Sequence, residues 1–305
     1  MMTNYSSPIT LRSGAHGGTP LARLRELIKL ALRSVIHPHA THGWLGLLNS
    51  DPMFRELVAA RPRLVGKAFR PYLSTTLNSA QRTSVLIGHY HSILRQGWGP
   101  LVLQAARTGV ELGNVAGKSG VPFRVVLRAI EPMEREGELT LQLWHGEALV
   151  YSCAFSFLQG MAGTEIGIGC LQGPKNDAGL SLVREATRQL HGLRPKSLLI
   201  KLISAMGRHF GCAGMRLVGN RNRTVRSALR EGKVYADYDA FWRECGAQPR
   251  EDGDYHLPCA ALAPPDLLAM ASSKRSSARR RHETLRQLIC AVSATLDRAA
   301  DRPYR

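Results

Sequence analysis

An α+β fold with a helical N-terminal section is predicted by three observations in this 305-residue chain. Apolar residues recur at helical spacing before residue 116. Four short strand-like runs then follow one another, separated by tight-turn signals. After Asp177 helical spacing returns. Strands grouped together and bracketed by helices give segregated layers, not a doubly wound sheet.

Residues 1–18 read as a flexible lead, polar and rich in Gly, Ser and Thr. A helical section, residues 19–116, opens at Thr19-Pro20, with Thr as N-cap and Pro in the first helical position. Leu21, Leu24, Ile28, Ala31 and Val35 recur near a 3.6-residue period, which predicts one buried face. His37-Pro38-His39 closes that helix. Further helices are expected from Trp44 to about Ala116, the clearest from Leu77 to Leu94.

An α+β core spans residues 117–270. Val121 to Ile130, Glu138 to Trp144, Leu149 to Leu158 and Thr164 to Leu171 are its strands, with turn signals at Glu131-Pro132, His145-Gly146 and Gln159-Gly160. In the second run Leu139, Leu141 and Leu143 alternate with Thr140, Gln142 and Trp144, as a half-buried strand requires. Short links make this an antiparallel meander. Asp177 is placed to cap a helix that stops at Gly192, and Pro195 starts the next, with Gly211 just past its end. Met215 to Val218 reads as a further strand ending at Gly219-Asn220. An irregular acidic segment leads to residues 271–305, a basic C-terminal helix and tail. Leu285, Leu288, Ile289, Val292 and Leu296 give that helix its apolar face.

Composition limits the function classes. Hydrophobic residues make up 44%, enough for a folded core. No window reaches the roughly 18 uninterrupted apolar residues of a membrane span. The N-terminus lacks the basic start and apolar middle of a secretory signal, so the expected location is the cytoplasm, with peripheral contact at the inner membrane. Six cysteines contain no C-x-x-C pair, which argues against zinc ribbons and thioredoxin-like sites and for buried reduced thiols.

The formal charge is +18, from 41 Lys and Arg against 23 Asp and Glu. It is patterned. Arg184 to Lys233 holds twelve basic residues against Glu185 and Glu231, a charge of +10 in fifty residues. Val234 to His256 is acidic, at −4. A second basic run holds Lys274, Arg275, Arg279, Arg280, Arg281 and Arg286. Such blocks point to an anionic partner.

Gly169 to Lys175 joins the last meander strand to a helix, where backbone N–H groups can face an anion. It matches neither nucleotide-binding glycine motif. His37, His39 and His42 read as a polar surface loop, and His89 and His91 diverge by about 200° on a helix, so they cannot share a ligand. No G-x-S-x-G nucleophile elbow and no metal-ligand spacing is present. Asp237, Asp239, Glu251, Asp252 and Asp254 read as a solvated acidic stretch. Tyr235, Tyr238, Phe241 and Trp242 read as core, with ligand stacking as the other role. The basic tail lacks interleaved aromatics, which argues against base stacking.

Several blocks, in this order, resemble the VirK/YbjX family. They are Tyr72-Leu73, Gln81-Arg82, His89-Tyr90, Gly169 to Pro174, His191 to Lys196, Asp237 to Trp242, Asp252-Gly253, Leu257-Pro258 and the run from Ser273 to Arg281. Between Asn220 and Val225 the family pattern has a His; this chain has Arg223. The resemblance implies a bacterial protein connected with virulence, envelope integrity and resistance to cationic antimicrobial peptides, and supplies no catalytic residues. A second resemblance is one of element order, to GCN5-related acyltransferases. It implies an acyl-CoA pyrophosphate at Gln172 to Lys175 and, with it, an acyl-CoA or acyl-carrier-protein substrate.

The first functional expectation is therefore binding of an anionic ligand, lipid surface or acidic carrier protein. Acyl transfer is the alternative, and nucleic-acid binding ranks last. The candidate ligand-binding residues are Gln172, Gly173, Lys175, Arg194, Lys196, Asn220, Arg221, Tyr238 and Trp242. Lys274, Arg275, Arg279, Arg280 and Arg281 are the candidate anionic-surface residues. No metal site and no catalytic residue is assigned.

Overall fold

The computed structural model describes residues 7–160, 163–174, 176–224 and 236–301. The N-terminal helices are α1 (Pro20–Ile36), α2 (Pro38–Leu48), α3 (Met53–Ala60), α4 (Ser79–Arg95) and α5 (Gly99–Arg107). Thr19 caps α1 as expected, its Oγ1 accepting the Ala22 N–H at 3.2 Å. α4 starts with a capping box in which Asn78 and Gln81 satisfy each other's backbone N–H groups.

Two expectations for this section are corrected. The stripe of Leu21, Leu24, Ile28, Ala31 and Val35 faces outward and is exposed. The anchor is Leu30, on the opposite face, 2% exposed. A Cβ on Gly66 would lie 3.0 Å from it and one on Gly14 3.2 Å, so both glycines make room for this side chain. Periodicity reports a stripe, not the side on which the protein lies. The His37 to His42 stretch is also no loop: Pro38 takes the first position of α2, because proline begins helices as readily as it ends them.

The sheet has eight strands in the order β1-β2-β3-β4-β5-β6-β8-β7. They are β1 (Val110–Ala116), β2 (Pro122–Ala129), β3 (Leu139–His145), β4 (Ala148–Gly160), β5 (Gly163–Gln172), β6 (Gly214–Leu217), β7 (Gln248–Pro249) and β8 (Tyr255–Leu257). The meander therefore has five strands, since Val110–Ala116 is not helical but pairs antiparallel with β2. A register shift between Glu111 and Gly113 breaks its alternation, which hides the period-2 signal.

After β5 the chain crosses through α6 (Asp177–Gln189) and α7 (Pro195–His209) to β6, which runs parallel to β5. Asn176, not Asp177, caps α6, its Oδ1 accepting the Gly179 N–H at 2.9 Å. The expected irregular acidic segment contains α8 (Tyr238–Glu244), β7 and β8, elements too short to show a period. A final helix, α9 (Ser272–Ala300), lies in the stretch expected to form the basic C-terminal helix.

α4 packs on β4, α5 on β2, α7 on β3 to β6, and α9 on β1 and α7. One contiguous hydrophobic cluster includes Trp44 and Tyr90 of the first helices, Phe123 and Phe155 of the sheet, and Leu288 of α9. Among the described residues no helix is long and apolar enough to cross a membrane.

Candidate functional site

A cleft of about 680 Å³ opens between α7, the end of α8, the extended stretch after β8, and α9. That volume lies in the range of small-molecule sites. The sequence builds it locally. Gly192, at φ +87°, ends α6 and lets the chain turn sharply into Pro195 at the start of α7. The stretch from Pro258 to Met270 is rich in Ala and Pro and cannot continue the sheet. It is pinned to α7, where Ser204 Oγ accepts the Ala260 N–H at 3.0 Å. It is pinned to α9 by the Arg275 guanidinium, which donates to the Met270 carbonyl at 3.1 Å.

The floor of the cleft is apolar, from Ile200, Leu262, Leu285 and Ile289. Its rim carries Arg194, Lys201, Arg281 and His282. Glu244 is the acid of the lining, and it is taken by Arg194, whose Nη1 donates to Glu244 Oε2 at 3.1 Å. Lys201 and Arg281 make no ion pair with a described residue. The Arg281 guanidinium lies over the Gly192 turn, with Nη1 3.5 Å from where a Cβ there would sit. The field at this turn is positive: partial burial lowers the His191 imidazole pKa, and the nearby cations Lys118 and Arg280 lower it further.

The structure brings Arg194 and Arg281 together, and places the other predicted residues elsewhere. Gln172 ends β5, exposed and paired with Ser152. Gly173 lies against the Tyr151 ring, and Lys175 lies outside the described residues. Lys196 stacks over Phe241, its Nζ 4.0 Å from the ring centroid. Burial, then neighbouring Arg194, lower its pKa. Asn220 is a hub of the loop after β6: its N–H donates to Asp239, its side chain donates to Asp237, and its Oδ1 accepts from Tyr238 N–H. Arg221 donates to the Glu251 carbonyl at 3.2 Å. Trp242 is buried and its indole N–H donates to the Val218 carbonyl.

Tyr238 has the most specific role. β5 and β6 pair only as far as Ile168 and Leu217 and then separate. In the gap the Tyr238 hydroxyl accepts the Leu171 N–H at 2.7 Å and donates to the Leu171 carbonyl at 2.8 Å. Arg223 covers the same ring at 3.9 Å and donates to the Ala236 carbonyl. On α9, Lys274, Arg279 and Arg280 are exposed and Arg275 is half-buried.

A second concentration of titratable groups went unrecognised as a cluster in the sequence. Lys67 and Glu138, 3% and 1% exposed, form an ion pair of 2.5 Å in the core. Tyr90 donates to the other Glu138 oxygen at 2.7 Å. Ser156 Oγ accepts the Glu138 N–H and shares a hydrogen bond with the Tyr72 hydroxyl. Burial pushes the Glu138 carboxyl up, but Lys67, His89 and the Tyr90 hydroxyl outweigh it and hold its pKa below the ordinary value. His89 is held down to about 4, chiefly by burial and secondarily by Lys67, against the pull of Glu138. Its Nδ1 accepts the Phe157 N–H at 3.1 Å. Tyr72, His89 and Tyr90, quoted above for the family resemblance, thus converge on one buried network joining α4 to β4.

Among the described residues no group of three or more His, Cys, Asp or Glu is placed to hold a metal ion. No disulfide links the six cysteines: Cys153, Cys170 and Cys212 are buried, and Cys290 is exposed.

Fold and site together define an α+β protein with a basic-rimmed apolar cleft. The chain belongs to the family described as protein of unknown function (DUF535), whose model matches residues 20–294. It is similar to the uncharacterized protein YbjX of Escherichia coli (strain K12), at 30% identity over 84% of this chain and 79% of the relative. The VirK/YbjX resemblance therefore holds over most of the chain. Two uncharacterized proteins of Haemophilus influenzae are also similar. One is 30% identical over 52% of each chain, the other 25% identical over 57% of this chain and 58% of the relative. No solved structure matches the chain.

Proposed function

We propose that the chain binds an amphipathic anion in the α7–α9 cleft, with an acyl or alkyl part on the floor and the charged head at Lys201 and Arg281. Through this binding it serves virulence, envelope integrity and resistance to cationic antimicrobial peptides, the roles the family resemblance implies. A cytoplasmic position, peripheral to the inner membrane, suits such a ligand. The observation that carries the reading is the pair Lys201 and Arg281, without an ion pair among the described residues, above an apolar floor. The start of α9 adds to it. That helix has no acid in its first turn and no side-chain cap, yet Lys274 and Arg275 lie in its first turn and Arg279 to Arg281 follow. Cations at a helix N-terminus oppose the macrodipole, and a bound anion relieves both.

Acyl transfer is not favoured over binding. It requires backbone donors from Gln172 to Lys175 at the β5–α6 junction, and none of the described residues of that stretch lines the cleft. Arg194 lines the cleft instead.

Calorimetry with dodecyl phosphate and with uncharged dodecyl maltoside tests the proposal. The phosphate binds more tightly, its affinity falls as salt rises, and Lys201→Glu with Arg281→Glu weakens it at least tenfold. Equal affinity of the double variant for dodecyl phosphate refutes the site.

A further inference from the structure

The outward face of α1 is the largest concentration of exposed apolar side chains described in the protein. Of ten large hydrophobic residues that stand exposed, six belong to this helix. They are Leu21 at 76%, Leu24 at 53%, Ile28 at 50%, Leu32 at 62%, Val35 at 78% and Ile36 at 68%. At about 100° per residue they fall within an arc of roughly 120° on a helix about 25 Å long. A contiguous exposed patch of this kind marks an interaction surface.

The orientation is fixed from behind. Leu30 is buried beside Gly14 and Gly66, and Glu26, the helix's one acid, is drawn to Lys29 at 3.4 Å and to Arg70 at 3.6 Å. Arg25, Lys29 and Arg33 recur every four residues along one edge of the stripe. The exposed face therefore pairs apolar side chains with a row of cations and presents no carboxylate.

We infer that α1 lies flat in the interface of an anionic phospholipid bilayer, its leucine stripe among the acyl chains and its basic edge on the phosphates. Amphipathic helices with a basic polar face bind membranes in this way. Anionic headgroups add attraction for each nearby Lys or Arg. A second copy of the chain complements this face less well, because it brings the same cations and no anion. The inference is independent of the cleft: it needs no ligand there and uses no residue of its lining.

The test is co-flotation of the full chain with vesicles of phosphatidylcholine containing 30 mol% phosphatidylglycerol or none. The expected result is binding to the anionic vesicles, lowered at least tenfold by Ile28→Glu with Leu32→Glu and retained by the cleft variant Lys201→Glu with Arg281→Glu. Both α1 positions are exposed, and unchanged circular dichroism and melting confirm that the variant folds. A check without an added label uses Leu32→Trp, whose emission shifts to the blue on anionic vesicles only. Vesicle binding unaffected by the α1 double variant overturns the inference. So does a concentration-dependent dimer, seen by sedimentation, that the same variant dissolves while vesicle binding is absent.

Discussion

Acid sensitivity set by His89 is the most sharply defined consequence of the buried network. The imidazole is fully buried, and its pKa is lowered from 6.5 to about 4. Geometry explains the direction. Nδ1 accepts the Phe157 N–H, so a proton placed there would face another donor. The unfolded chain takes up that proton near the ordinary histidine pKa, and the folded chain does not. Stability is therefore full above about pH 6.5 and falls as pH drops toward 4, below which the loss levels off. At about 1.36 kcal/mol per pKa unit, the full gap is worth roughly 3 kcal/mol. About 2 kcal/mol of it appears between pH 7.5 and 5, before most carboxylates titrate. Urea unfolding at pH 7.5, 6.5, 5.5 and 5.0 measures it, comparing the parent with His89→Gln. The parent loses about 2 kcal/mol more than the variant across that window. Proton NMR of the His89 ring gives a direct check, its signal staying constant from pH 7.5 to 5. Parallel pH slopes for the two proteins, or a ring that titrates near 6.5, would refute the reasoning.

Two further outcomes follow from single contacts. Tyr238→Phe leaves the Leu171 N–H and carbonyl without the hydroxyl that joins them, and costs about 1–3 kcal/mol for a buried unsatisfied group; urea midpoints check it. Leu30→Ala costs about 2–5 kcal/mol, as for a buried leucine, whereas Leu32→Ala on the outward face stays within about 0.5 kcal/mol. Equal losses at the two positions would mean that α1 is not oriented as described.

Much of the fold is legible in the sequence where a local rule is strong. Thr19-Pro20 and Pro195 mark real helix starts because capping and proline geometry are decided within a few residues. The alternation in Leu139 to Trp144 marks a real strand. What escapes is decided at long range. β1 is a strand because β2 pairs with it, and α1 turns its stripe outward because Leu30 fits beside two glycines distant from it in the chain. The cleft was half visible. Arg194 and Arg281 were candidates from their basic blocks, but its apolar floor combines residues of α7, α9 and an Ala/Pro stretch that no single window connects.

The charge pattern shows why. Summed along the chain, Arg184 to Lys233 is the natural anion site. In the structure much of that block is spent on the acidic block that follows it. Arg216 reaches Asp254 at 2.7 Å and Asp252 at 3.2 Å, Arg194 holds Glu244, and Arg223 and Lys196 lie on the rings of Tyr238 and Phe241. Asp254 is fully buried, so its pairing with Arg216 serves the fold. Lys201 has no such partner among the described residues, and α9 carries Arg281 to the same cleft. The anion-facing surface thus arises where the two basic blocks converge, not within the block of highest charge density.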